Sequence, residues 1–253
     1  MTWFASIAFL FLVPNVCVLP YIAYHYQGLP APTQQGMLAD KTFVFLFVLG
    51  WVPAHLLTLA LIWAVATRVG KYSLKEVFGL SSSPDFGIAK SVGLAITLFI
   101  ASMLLVASFG GQQTDLDRIL QSSRAAAVTL AVIAVATAPL VEEMIYRGLL
   151  FSAVQRVIGK WFAVIVVASM FAGLHVVQYW PNVGAISSIT LLCVVLTVIR
   201  ARTGRLLPCF MIHLVFNGVQ SLIIVFEPYL RALFEMWRHG ATGALTHLPR
   251  FLG

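Results

Sequence analysis

Charge is scarce in this chain: Asp, Glu, Lys and Arg make up 10% of its 253 residues, against roughly 25% in an ordinary soluble domain. With 60% hydrophobic residues and a mean hydropathy of +0.93, that scarcity excludes a soluble globular protein and leaves a membrane protein. Cysteine is scarce too. Cys17, Cys193 and Cys209 are odd in number, lie inside apolar runs and lack CxxC spacing, which excludes a disulfide framework and reads as small buried hydrophobes. There is no HExxH. The first 24 residues lack a basic n-region and a small-residue cleavage site, so they read as a retained span rather than a signal peptide. No basic stripe is present: the net charge of +7 is scattered between apolar runs, which suits topology and anionic lipid and argues against a nucleic-acid partner.

What the chain does have is a series of apolar runs, most of them near the roughly 17 to 25 residues of a spanning helix. They fall at about 3–24, 43–67, 88–109, 125–158, 161–178, 185–199 and 206–226. The expected fold is all-α and polytopic, about seven or eight spanning helices in one integral domain over 1–253, with an intramembrane chamber and no separate soluble domain. Pro14 and Pro53 are expected to kink their helices. Residues 25–41 read as a turn-rich loop, and 68–90 as a basic connection whose Leu74, Val77, Phe78 and Leu80 suggest a short amphipathic helix on the membrane surface. Residues 110–124 read as a polar outward loop, and the tail from Glu227 as amphipathic.

The loops holding Arg68 to Lys90, Arg156 to Lys160 and Arg200, Arg202 and Arg205 fall on one side of alternating spans, which the positive-inside rule names cytoplasmic. The N-terminus is then cytoplasmic and the C-terminus outside, although Arg231, Arg238 and Arg250 in the tail argue mildly against the latter.

One stretch stands out against this background. Glu142-Glu143-Met144-Ile145-Tyr146-Arg147 puts three charges at the end of a long apolar run, where each costs about 2.5–3.5 kcal/mol on insertion scales. Charges at such a depth sit in a protein interior with a partner and a task. Glu143 and Arg147, at i and i+4, lie about 40° apart on a helix, whereas Glu142 and Arg147 differ by about 140°. Glu143 is therefore expected to pair with Arg147, which frees Glu142 to act as a general base.

Depth arithmetic brings other groups to the same level. Glu142 lies 17 residues before the turn at Gly159 and His175 lies 16 after it, so a helical hairpin places them at nearly one height. His213 sits about 15 Å along its helix from the arginine turn, and shares the level if the hairpin tip projects about 10 Å beyond the membrane face. His213 and Asn217 share one face at i, i+4, as do Phe171 and His175. The expected chamber is thus bordered by the fourth, fifth and seventh apolar segments, in the cytoplasmic half of the bilayer. His25 and His55 have no comparable partners and read as structural or interfacial.

EEMIYR, then FAGLH, then HLVFN resembles the EExxxR, FxxxH and HxxxN series of the CPBP (Abi) intramembrane proteases, a family that includes the type II CAAX prenyl endopeptidase. The resemblance covers about 125–226 and implies a protease in which Glu142 activates water, with His175 beside it. It further implies that His213 and Asn217 position water or stabilise the oxyanion, and that Glu143, Arg147 and Phe171 support the site. Amide hydrolysis needs a nucleophile, an oxyanion partner and a proton for the leaving amine, and these groups can supply them. Zn²⁺ is a candidate cofactor, because Glu142, His175 and His213 make three ligands with one open position; a metal-free glutamate mechanism fits equally. The expected partners are membrane lipids and a membrane-associated or lipidated protein or peptide. Two other classes stay open, a non-proteolytic scaffold of the same fold and a proton-coupled transporter, the latter disfavoured because no inverted repeat is visible.

Overall fold

The computed structural model describes residues 1–28, 30 and 32–239, and every regular element among them is a helix. In chain order these are α1 (Thr2–His25), α2 (Gln34–Ala39), α3 (Lys41–Leu49), α4 (Trp51–Ala66), α5 (Leu74–Phe78), α6 (Ile88–Phe109), α7 (Asp115–Ser122), α8 (Arg124–Ala136) and α9 (Ala138–Glu142). A π-helix (Glu143–Leu150) follows, then α10 (Phe151–Ile158), α11 (Lys160–Tyr179), α12 (Val183–Thr203) and α13 (Leu207–His239). Six spans are long and apolar enough to cross a membrane, with α3 and α4 joined as one, and the bent pair Arg124–Ala136 and Ala138–Ile158 makes a seventh. The protein is a multi-pass membrane protein.

Several expected boundaries move, each for a local reason. The second span is interrupted at Gly50 rather than at Pro53. There α1 crosses so closely that a Cβ on Gly50 would lie 2.8 Å from Pro14 Cα, while Pro53 falls in the first turn of α4, where a missing N–H is tolerated. Residues 25–41 contain α2 as well as turns, and Asp40 closes the connection. Its carboxylate accepts from the Thr42 and Phe43 amides and from the Tyr21 and Tyr26 hydroxyls. The polar stretch expected as a loop folds in part as α7, started by a capping box in which Thr114 and Asp117 satisfy each other's backbone amides. The last span does not stop at Phe226 but continues through Pro228 to His239 as one helix; Arg250 lies outside the described residues.

The helices pack in a bundle whose contacts are small-residue approaches and interhelical hydrogen bonds, as expected where lipid is as apolar as leucine. The helix α12 lies against α11, α6 and α13, while α8 lies between α3 and α13. At Gly184 a Cβ would come within 2.7 Å of Leu105 O on α6. Asn217 donates to Ala134 O and Ser221 to Ala131 O, which stitches α13 to α8. One apolar cluster, containing Ile145, Tyr146, Phe151, Phe171 and Leu206, surrounds the π-helix.

The connection after α4 also departs from expectation. The short helix α5 is present, and its apolar residues divide: Val77 is exposed, while Phe78 is buried with its ring against Gly148 of the π-helix. Leu206 N donates to Phe78 O and Gly79 O. The segment is thus bolted to the end of the bundle beneath the π-helix.

Candidate active site

The charged stretch sits after a break in its span. At Thr137 the chain leaves α8 and turns by 41° into α9, where Pro139 occupies the first turn and has no N–H to continue the previous helix. The expected single helix over 125–158 is therefore divided into α8, α9, the π-helix and α10. Thr137 is fixed from outside by His55, whose Nδ1 lies 2.6 Å from its Oγ1. His55 is buried rather than interfacial, and sequence spacing offered no signal for this pairing.

Past Glu142 the backbone widens into a π-turn, a form that clusters at functional sites. Here it lets two consecutive glutamates address one ring. His213 Nδ1 is 2.8 Å from Glu143 Oε1, and its Nε2 is 3.7 Å from Glu142 Oε2. The expected ion pair is present: Arg147 Nη1 donates to Glu143 Oε1 at 3.0 Å, with both side chains fully buried. Glu142 keeps 24% of its side-chain surface exposed, against none for Glu143. That contrast separates an accessible carboxylate from an enclosed one.

Arg147 is held on every side. It donates from Nε to Thr197 Oγ1 and from Nη2 to Cys193 O on α12, and its guanidinium faces the Phe171 ring at 4.5 Å. Glu143 Oε1 already accepts from Arg147, so the His213 contact to the same oxygen is a donation from Nδ1–H, which in the neutral imidazole makes Nε2 the acceptor. His175 reaches the cluster through Phe171, on which it stacks at 4.5 Å, and its Nδ1 lies 3.0 Å from Phe171 O. A carbonyl only accepts, so here too Nδ1 carries the proton, and in the neutral ring Nε2 is the acceptor. Asn217 is half-buried one turn beyond His213 and spends one amide hydrogen on Ala134 O, leaving the other free to donate.

Five of the seven residues singled out from the sequence thus form a contact network: Glu142, Glu143, Arg147, Phe171 and His213. His175 adjoins it by stacking and Asn217 by its helical face. The structure adds Thr197 and Arg200 on α12, and places Tyr146 and Tyr179 within electrostatic reach of Glu142. Arg200 is no loop residue: it is buried, and its Nε donates to Arg147 O at 2.9 Å.

In neutral rings with these Nδ1 donations, both Nε2 atoms are the acceptors that a base or a metal ligand requires. The positions do not complete a metal site, however: among the described residues no group of three or more His, Cys, Asp or Glu is arranged to hold an ion. The steps derived below therefore use only the chain's own groups.

Residues 124–219 match the family model of type II CAAX prenyl endopeptidase Rce1-like proteins. The match contains all seven residues and agrees with the family that the three motifs resemble. No curated protein and no solved structure matched the chain.

Proposed function

From an Rce1-like domain set inside a multi-pass membrane protein, we propose an intramembrane endopeptidase. It hydrolyses a peptide bond in a membrane-associated or lipidated protein, with a prenylated CAAX-type peptide as the first substrate class to try. The observation that carries this reading is the pair of unlike glutamates on His213: Glu143 enclosed on one side of the ring, Glu142 accessible on the other.

The chemistry follows from those positions. A water beside Glu142 Oε2 and His213 Nε2 meets two acceptors, which orient its oxygen lone pair toward an incoming carbonyl carbon. Glu142 takes the water's proton as the C–O bond forms, and passes it to the amide nitrogen as the C–N bond breaks. The free amide hydrogen of Asn217 is the donor for the oxyanion. His175, beside the cluster with Nδ1 donating to Phe171 O, offers Nε2 as a second proton acceptor. Glu143 and Arg147 do no chemistry in this scheme; they fix the tautomer of His213.

In this reading the basic connections around Arg68–Lys90, Arg156–Lys160 and Arg202–Arg205 face the cytoplasm, as does the N-terminus, and the site lies in the cytoplasmic half of the bilayer. This scheme uses the chain's own groups, with Zn²⁺ at Glu142, His175 and His213 as the competing version of the same chemistry. The test is purified protein in proteoliposomes with a fluorogenic farnesylated peptide: cleavage is expected from the wild type and not from Glu142→Gln or His213→Ala. Equal cleavage by all three refutes the assignment.

A further inference from the structure

Arg200 presents a cation with an unusual set of partners. It lies in the last turn of α12 and is 7% exposed. Its hydrogen bonds go to Arg147 O at 2.9 Å, Gly204 O at 2.5 Å, Phe78 O at 3.4 Å and Ser152 Oγ at 3.5 Å. All of these acceptors are neutral. A buried charge held by carbonyls costs desolvation that an apolar side chain of the same size avoids, so packing alone does not explain an arginine here.

What it holds is the point where the helix register shifts. In an α-helix the Phe151 amide would donate to Arg147 O, four residues back; instead it donates to Tyr146 O, five back. The Arg147 carbonyl receives Arg200 Nε. The same guanidinium spans to Phe78 O, and Phe78 presses its ring on Gly148, the next residue of the π-helix. One side chain therefore braces the π-turn from α12, from the α12–α13 turn at Gly204 and from α5 together.

We infer that Arg200 is a positioning residue: by holding Arg147 O it keeps the π-register that aims Glu143 at His213 Nδ1, and so keeps His213 in the Nδ1–H tautomer with Nε2 facing Glu142. Without it the Arg147 backbone relaxes toward α geometry, Glu143 rotates away, and the imidazole loses its fixed tautomer. This rests on the proteolytic reading for its kinetic consequence but not for its structural one.

The experiment compares wild type, Arg200→Met, Arg200→Lys and the exposed control Arg202→Ala in proteoliposomes, using the farnesylated peptide together with ¹⁵N-histidine NMR. The His213 signals are assigned by their loss in His213→Gln. Arg200→Met is expected to lower kcat by about 10- to 100-fold with KM held within about threefold, the scale of losing an orienting group. Its His213 is expected to change from the Nδ1–H form to a tautomer mixture. Arg200→Lys keeps a donor but not the fork and recovers part of both signals; if Arg200→Met does not fold, Arg200→Lys decides. Arg202→Ala matches wild type. Unchanged kcat with an unchanged His213 tautomer overturns the inference, as does a fall in kcat that only tracks the folded fraction. If the wild type cleaves nothing, the proteolytic reading fails, and the NMR arm alone decides the role of Arg200.

Discussion

His213 and Glu143, 70 positions apart in sequence, meet at 2.8 Å between Nδ1 and Oε1. The same carboxylate oxygen also accepts from Arg147 at 3.0 Å. Two donors on one buried oxygen make Glu143 the hub through which a helix-internal ion pair reaches across to α13.

The two glutamates should therefore fail differently. Glu142→Gln removes the proton acceptor and is expected to lower cleavage by about 10²- to 10⁴-fold with an unchanged unfolding midpoint. Glu143→Gln leaves Arg147 as an uncompensated buried cation, with an expected loss of about 3–5 kcal/mol in stability as well as activity. Cleavage assays beside thermal unfolding in detergent check both; equal effects on stability would undo the division.

This division was half legible in the sequence. The i, i+4 arithmetic paired Glu143 with Arg147 because helical neighbours are set by local geometry. Depth arithmetic brought His213 to the same level because helix rise is constant. The grip of Glu143 on His213 was not legible, since it depends on a π-turn that no residue spacing announces. The role of Arg200 was hidden for another reason: an arginine near a helix end reads as a topology signal, and only the tertiary position of Phe78 and Arg147 shows it turned inward. The box formed by Thr114 and Asp117, by contrast, was a readable helix start within a stretch taken for polar loop.

Gly148 should tolerate no side chain. A Cβ there would stand 2.5 Å from Phe78 Cε1, so Gly148→Ala is expected to cost about 1–3 kcal/mol as an overpacked contact. Adding Phe78→Leu should return part of that loss, and thermal unfolding of the single and double variants measures the recovery.

Metal dependence is decided by chelation. Enzyme dialysed against 1,10-phenanthroline, with zinc shown by elemental analysis to be well below stoichiometric, is expected to retain full cleavage. Loss of activity that added Zn²⁺ restores would place an ion in the chamber and overturn the metal-free scheme.

The hub at Asp40 should show in the acid range. Burial pushes its carboxyl up, but the Tyr21 hydroxyl, the Phe43 amide, the Tyr26 hydroxyl and the Thr42 amide outweigh that and hold it below its usual value. A depressed folded value gives stability that is complete above the unfolded carboxylate pKa of about 3.9 and fades as pH falls through the folded one. The difference in unfolding midpoint between wild type and Asp40→Asn should be constant near neutrality and shrink at acid pH; a constant gap throughout would contradict the assignment.

The break at Thr137 also bears on how the chain is made. The segment following it carries Glu142, Glu143 and Arg147, and each charge opposes release into lipid by about 2.5–3.5 kcal/mol. Glu143 and Arg147 neutralise one another within a single turn, whereas Glu142 finds His213 only after α13 has been synthesised. Ordered insertion is therefore the expected outcome, with α11, α12 and α13 entering before the bent segment settles among them. A chain truncated at Ile158 should leave this stretch out of the bilayer, and glycosylation mapping of truncations ending before and after α13 would time its entry.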